Sequence, residues 1–297
     1  MPADLIGKLF ALSSALLWAV AVIFFKRAGE TIRPAALNFY KTAVVAVLLL
    51  PVMWLTGDSL FPANVTGTDW LLVVGSGILG ISVADSLFFK SLNLLGAGLA
   101  AIVECLYSPM VMGLSWLVLF NNLSPTQIAG AFLVIAAVLV AALKVKQTNI
   151  PVKNIVSGIL IGAGAMFFMA VGIMFMKPVL KKTSVLWVSE VRLLAALVVL
   201  LIFILADKDR NRMLASLWQR RNWRHAFPGT MFGNLFSMTT WIAGFKLTDV
   251  TSAAILNQTN TIFIVILASL WLKEPFTLRR MAATILAFTG SVLVLTN

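Results

Sequence analysis

The chain has only one cysteine and one histidine among its 297 residues. Cys105 alone cannot form an internal disulfide, and it offers no cysteine cluster for zinc. His225 ends the basic segment RRNWRH, away from any other metal-ligating residue type, which excludes most histidine-based catalysis and metal chemistry. We therefore expect no metal site and no cofactor.

Charged residues are also scarce, at 11% of the chain, whereas hydrophobic residues make up 60%. A typical soluble domain has about 25% charged and about 45–50% apolar residues. A soluble protein with this apolar excess would expose large hydrophobic patches and aggregate. The composition therefore argues against a soluble enzyme, a disordered chain and a nucleic-acid binder. The net charge of +12 does not restore nucleic acid as a partner, because the bases lie in short gaps between apolar stretches.

The apolar residues form stretches long enough to cross a lipid bilayer, which needs about 20 residues in a helix. The runs are continuous and do not alternate as the strands of a membrane barrel would. They predict an all-α polytopic membrane protein whose surroundings are the lipid bilayer. Ten stretches qualify: 5–25, 34–55, 69–89, 96–119, 125–143, 154–176, 184–206, 226–245, 251–272 and 277–295.

The longest connection, 207–225, contains apolar residues at helical spacing between basic ones. Met213, Leu214, Leu217 and Trp218 would share one face of a helix. The pattern indicates either a short amphipathic helix on the membrane surface or a plain solvated loop.

The second half of the chain repeats the first. A shift of 151 residues aligns Lys41 with Arg192, and a shift of 156 aligns Glu104 with Asn260. Near the end, a shift of 153 aligns 131–140 with 284–293. We expect two five-helix repeats, 5–143 and 154–295. Because five is odd, the second repeat enters the membrane from the opposite side, as in the inverted repeats of secondary transporters.

Several segments resemble one transporter family. They are ALLWAVAVIFFK (15–26), the basic residue in the second and seventh stretches, and the helix–LKEPFT–helix join around Glu274. In these the chain is similar to the EamA-type members of the drug/metabolite transporter superfamily. The first repeat departs from this pattern, because FNNLSP (120–125) lacks an acidic residue. The resemblance implies transport of small metabolites, often export. It also implies that the protein resides in a bacterial inner membrane.

The functional expectation is a secondary transporter that works by alternating access. Two inverted copies can exchange conformations and so open a central site to each side in turn. No phosphate-binding glycine loop followed by Lys-Ser/Thr is present, so ATP is not the direct energy source and proton coupling is a candidate. Small amphipathic solutes such as amino acids are the candidate substrates. A non-transporting membrane partner or sensor and a lipid-modifying enzyme are the alternatives, and monomer and homodimer both stay open.

The basic residues predict the orientation. Outside the helices, 16 bases flank the connections after stretches 1, 3, 5, 7 and 9, and 5 flank the other end. The positive-inside rule then places both termini outside the cell. The family resemblance implies the reverse, with both termini inside.

Charged residues within the apolar stretches are the main site candidates, because each costs about 2.5–3.5 kcal/mol to insert at a helix centre. Glu104 is the foremost. Pro109 lies five residues later and removes the helical hydrogen bond to the Cys105 carbonyl. Asn257 and Asn260 lie on one face of the ninth stretch, and we expect Glu104 to face Asn260 near the pseudo-twofold axis. Glu104 is interpreted as a substrate-amine or proton site, or as an interhelical hydrogen bond that only fastens the bundle.

Four other charged residues lie in the apolar stretches. Asp85 either faces the cavity or pairs with Lys41 or Lys90. Lys41 and Arg192 occupy equivalent repeat positions, which favours a scaffold role over substrate-carboxylate binding. Glu190 lies two residues from Arg192, so the two cannot share a helix face.

Aromatic residues inside the stretches either pack against neighbouring helices and lipid or line a pocket for an apolar solute. This group includes Trp18, Tyr40, Tyr107, Trp187 and Trp241.

Overall fold

The structure is a computed structural model that describes residues 3–62, 64–119, 123–142, 151–180, 182–248 and 250–295. The side chains of residues 119, 242, 245, 246, 250 and 251 lie outside this description. All regular structure in the described ranges is helical, as the composition predicts.

Ten long helices, α1–α10, correspond one to one with the ten apolar stretches. Nine of them are long and apolar enough to span a membrane on the described residues, and α8 begins with a basic segment. The bounds are α1 Ala3–Ala28, α2 Pro34–Leu55, α3 Gly67–Leu95, α4 97–119, α5 Pro125–Ala142, α6 Val152–Leu180, α7 Val185–Ala206, α8 220–247, α9 250–272 and α10 Leu278–Leu295.

Local sequence signals set where these helices begin. Pro34 and Pro125 occupy the first turns of α2 and α5, where a missing N–H has no cost. Thr66 and Asp69 form a reciprocal capping box at the start of α3. Ser184 accepts a hydrogen bond from the backbone N–H of Trp187 and so caps α7.

Two kinds of irregularity recur in both repeats. The third helix of each repeat contains a π-helical turn, Ile78–Val83 in α3 and Met231–Phe236 in α8. The fourth helix of each repeat is interrupted, at 105–106 in α4 and at Thr259 in α9. Such π turns and broken membrane helices are frequent at functional sites.

Small residues bring the two repeats together. In α3, Ser76 donates a hydrogen bond to the Gly172 carbonyl of α6 at 2.7 Å. In the equivalent pair of helices, Ser14 of α1 donates to the Ser237 carbonyl of α8 at 2.9 Å, and Ser237 donates back to the Ser14 carbonyl at 3.1 Å. Close small-residue contacts of this kind are typical of membrane helix packing.

These contacts correct the repeat register in α3 and α8. Gly80 lies against Gly172 of α6, and Gly233 lies against Ala21 of α1 in the equivalent contact. Gly80 and Gly233 therefore correspond, which is a shift of 153 residues and not the predicted 156. The two π turns have the same offset. The sequence comparison placed the whole change from 151 to 156 between α2 and α3, whereas the π turns require a change of only two residues there.

The last helix of each repeat, α5 or α10, packs mainly against the other. A Cβ atom on Gly130 would lie 2.6 Å from the Gly290 carbonyl oxygen, and one on Gly290 would lie 2.7 Å from the Gly130 carbonyl oxygen. Both helices have 18 residues, and their ends and buried positions match at the predicted shift of 153. Gly130 corresponds to Ala283 and Gly290 to Ala137, so the predicted register of α5 and α10 is confirmed.

The connection 207–225 contains a short helix, Arg210–Trp218, which we call the surface helix. The predicted helix is present, but Met213 is buried and Trp218 is 81% exposed, so the predicted apolar face is covered only in part. Arg33, before α2, forms ion pairs with Asp207 and Asp209 beside the surface helix.

The connections after α1, α3, α7 and α9 lie together at what we call the basic end. There the Arg27 guanidinium donates to the Trp271 carbonyl at 3.1 Å, and the Asn93 amide donates to the Gly29 carbonyl at 3.2 Å. The first half of α4, Ala97–Glu104, packs closely on the second half of α9, Asn260–Leu272. The remaining halves contact each other much less, so the contact between α4 and α9 is concentrated at the basic end.

Candidate functional site

The interruption in α4 places Glu104 at the end of its first half-helix. The N–H groups of Cys105 and Leu106 bond to carbonyls three residues back, those of Ile102 and Val103, which tightens the backbone before Pro109. The predicted break is present, but the Cys105 carbonyl is not free. It accepts a hydrogen bond from the Ser108 N–H at 3.3 Å, because the tightened turn supplies a donor that a regular helix would not.

Glu104 is half-buried and faces α1. Its Oε1 accepts a hydrogen bond from the indole N–H of Trp18 at 3.0 Å. Trp18 in turn stacks on Phe88 of α3 with ring centroids 6.3 Å apart. The carboxylate is therefore oriented by a donor from the first helix and lies between α1, α3 and α4.

The pseudo-twofold contact predicted for Glu104 and Asn260 falls one residue further along each helix. The Cys105 thiol and the Thr261 hydroxyl lie 3.3 Å apart in hydrogen-bonding contact. Asn260 is buried, and its side-chain oxygen accepts a hydrogen bond from Thr261 at 3.2 Å. Asn257 is half-buried one turn before Asn260.

Asp85 forms a nearly buried ion pair with Lys41, in which the side chains are 16% and 6% exposed. Of the interpretations of Asp85, the structure has the ion pair with Lys41, because the π turn in α3 directs the carboxylate toward α2. Asn38, one turn before Lys41, donates to the Ile81 carbonyl at 2.8 Å and to the Ser86 hydroxyl at 3.0 Å. Lys41 also lies 5.7 Å from the centroid of the Phe89 ring.

Arg192 occupies the repeat position of Lys41 but has no carboxylate partner in the described contacts. One guanidinium nitrogen lies 3.0 Å from the Met176 sulfur, and its Nε is buried without a hydrogen-bond partner. Asp85 and Tyr107 lie within electrostatic range of the guanidinium. Asp85 is within range of Glu104 as well. Arg192 and Glu104, each with spare hydrogen-bonding capacity, thus both lie near the Asp85 carboxylate.

Glu190 is completely buried in α7, and neither carboxylate oxygen has a hydrogen-bond partner among the described residues. Glu190 is not brought together with Glu104 or Asp85 by any described contact.

The aromatic candidates separate into packing residues and exposed ones. Tyr40 is 9% exposed, and its ring centroid lies 5.9 Å from that of Trp223. Trp187 is buried and donates to the Leu60 carbonyl at 2.8 Å. Trp241 is 39% exposed, and Tyr107 is half-buried beside the helix break.

Sequence reasoning missed two residues of this site, and it named Trp18 without its hydrogen bond to Glu104. Asn38, Met176 and the Trp18 indole as a donor to Glu104 emerge only from the packing of separate helices. A weak signal for Asn38 was available, because an amide in the middle of an apolar stretch is costly unless it is bonded.

Broken fourth helices, paired π turns and charged residues at the centre of ten membrane helices are the features of a transporter built from two repeats. Two segments of the chain, 5–143 and 156–296, match the model of the EamA-like transporter family. The chain belongs to this family and is an integral membrane protein. This membership places it among transporters.

One further comparison gives a relative of the same class, and another gives a structure of similar fold. An uncharacterized transporter of Archaeoglobus fulgidus is 24% identical over 288 residues, covering 97% of each chain. The fold is also similar to that of a solved crystal structure, with a TM-score of 0.66 at 18% identity. That similarity covers 98% of this chain and 96% of the other.

Proposed function

We propose that this protein exports small zwitterionic metabolites, amino acids above all, by alternating access coupled to protons. The observation that carries the proposal is the separation of opposite charges at the centre of the bundle. Arg192 has an unsatisfied guanidinium nitrogen, and Glu104 has a carboxylate that receives a single described hydrogen bond, from Trp18.

A zwitterion matches this arrangement. The substrate carboxylate would displace the Met176 thioether from Arg192, because a thioether is a much weaker acceptor than a carboxylate. The substrate ammonium would bind the Glu104 carboxylate. Lys41 and Asp85 neutralise each other between the two and hold the local net charge near zero.

Coupling follows if ammonium and proton compete for Glu104. The sequence neighbours of Glu104 are apolar and include Ile102, Val103, Leu106 and Met110. Removal of a carboxylate from water favours its neutral form. A proton bound at Glu104 would then exclude the substrate ammonium, and substrate binding would require proton release. This exclusion is what an antiporter needs.

The substrate proposal is tested by uptake into proteoliposomes. We expect transport of an apolar neutral amino acid, and at least about tenfold weaker transport of the matching amine or the matching acid, because each leaves one buried charge unpaired. Arg192→Gln should remove the preference for a carboxylate, and Arg33→Gln, at the exposed basic end, serves as control. Equal transport of the amine and the amino acid by the unaltered protein would refute the zwitterion proposal.

We further propose that the protein resides in a bacterial inner membrane with both termini outside, as the excess of bases at the basic end supports. A cysteine added at either terminus of a Cys105→Ser variant should react with an impermeant maleimide in intact cells. Labelling only after the cells are broken would show the opposite orientation, with both termini inside the cell.

A further inference from the structure

Glu274 lies in the short join between α9 and α10, yet it contacts the other repeat. Its Oε1 accepts a hydrogen bond from the Ala97 N–H at 2.6 Å, and its Oε2 accepts one from the Gly98 N–H at 3.1 Å. Arg280 of α10 donates to Oε2 at 3.0 Å, and both side chains of this pair are nearly buried, at 12% and 14% exposed. The carboxylate therefore caps the first half-helix of α4, the segment that ends at Glu104.

Two glycines make room for this carboxylate. Gly96 has a φ of +83°, which side-chain-bearing residues rarely adopt, and a Cβ atom there would lie 2.6 Å from Oε1. A Cβ atom on Gly98 would lie 3.2 Å from Oε2 and from the Arg280 guanidinium. The backbone turn of one repeat is thus shaped around the side chain of the other.

The cap formed by Glu274 depends on the packing of α4 against α9 at the basic end. At the basic end the first half of α4 is packed on the second half of α9, and Glu274 follows directly after that half of α9. Opening the basic end requires these halves to separate. Two charge-assisted bonds to a helix N-terminus would then be lost, where the helix dipole favours negative charge.

We propose that Glu274 is the latch of the basic end, which holds the transporter closed there and positions the half-helix that carries Glu104. The carboxylate does not contact substrate. It acts by making the basic-end-closed conformation the more stable of the two.

The repeats differ at this feature, so the latch is one-sided. A shift of 153 residues, which aligns Ser124 with Thr277, places Asn121 at the position of Glu274. The segment FNNLSP contains no carboxylate, so the first repeat cannot supply the same charge to the start of α9. The resting protein should therefore favour one of its two conformations, the one closed at the basic end.

Distances between spin labels test the latch without any substrate. Labels are placed at Lys90→Cys in α3 and Phe276→Cys after Glu274, both exposed, in a Cys105→Ser background. In lipid nanodiscs, Glu274→Gln should produce a longer-distance population and shift the ratio of closed to open by about tenfold, as loss of charge-assisted bonds predicts. Glu30→Gln is the matched control, because that carboxylate is exposed at the same end and pairs only loosely with Arg27 at 3.8 Å.

A second variant separates loss of the latch from misfolding. Gly98→Ala keeps the Glu274 charge but crowds its Oε2, so it should shift the distances in the same direction by a smaller amount. Unchanged distance distributions in folded Glu274→Gln and Gly98→Ala proteins would overturn the proposal. The distance measurement uses no substrate. It therefore tests the latch whether or not the uptake assay supports the zwitterion proposal.

Discussion

Glu104→Gln is expected to abolish the part of transport that a pH gradient drives, lowering it at least about tenfold, while the protein still folds and inserts. Glutamine keeps the size of the side chain and an oxygen that can accept the Trp18 hydrogen bond. It cannot release a proton, so the competition between proton and substrate ammonium is lost. The measurement is uptake into proteoliposomes with and without an imposed pH gradient.

The controls distinguish coupling from packing. Glu30→Gln removes an exposed carboxylate at the basic end and should leave the gradient dependence unchanged. If Glu104 only fastens the bundle, the Gln variant should transport almost normally and Glu104→Ala should express poorly. Full gradient-driven uptake by Glu104→Gln would therefore show that Glu104 is a packing residue and not a coupling residue.

Lys41→Met is expected to destabilise the folded protein by about 3–5 kcal/mol, because it leaves the Asp85 carboxylate nearly buried without its partner. The double variant Lys41→Met with Asp85→Asn should recover most of that loss, since no uncompensated charge remains. Thermal unfolding of the purified protein in one detergent measures both.

An exposed ion pair provides the comparison. Lys8 and Asp4 lie 2.8 Å apart, but their side chains are 42% and 57% exposed. Lys8→Met should change the unfolding temperature little, since water and salt screen such a pair. A Lys41→Met protein as stable as the unaltered chain would show that the Lys41–Asp85 pair does not stabilise the bundle.

The sequence was sufficient for the architecture because the bilayer restricts the choices. A run of about 20 apolar residues in lipid must be helical, since each backbone polar group has to be satisfied within the segment. The ten helices therefore fall where the apolar stretches predict. The register of α3 and α8 was less accessible, because the correspondence of Gly80 with Gly233 became evident only from contacts between helices.

The sequence points to the charged residues of the candidate site. It does not indicate which side chains contact them. Charge within an apolar stretch is a strong local signal, and it identified Glu104, Asp85 and Arg192. Pairing depends on how helices distant in sequence rotate against one another. No periodicity in α1 indicates that the Trp18 indole reaches Glu104, and none in α6 indicates that Met176 contacts Arg192.

The π turn at Ile78–Val83 has a rotational consequence for the charge pair. One extra residue in a helix turns everything that follows by about 100° around the helix axis. Asp85 begins the segment after this turn and reaches Lys41, while Asn38 bonds the Ile81 carbonyl inside it. Straightening α3 into a regular helix would swing Asp85 away from α2 by roughly a quarter of a circle. The irregular turn and the ion pair are therefore a single unit of structure, and neither can change while the other is kept.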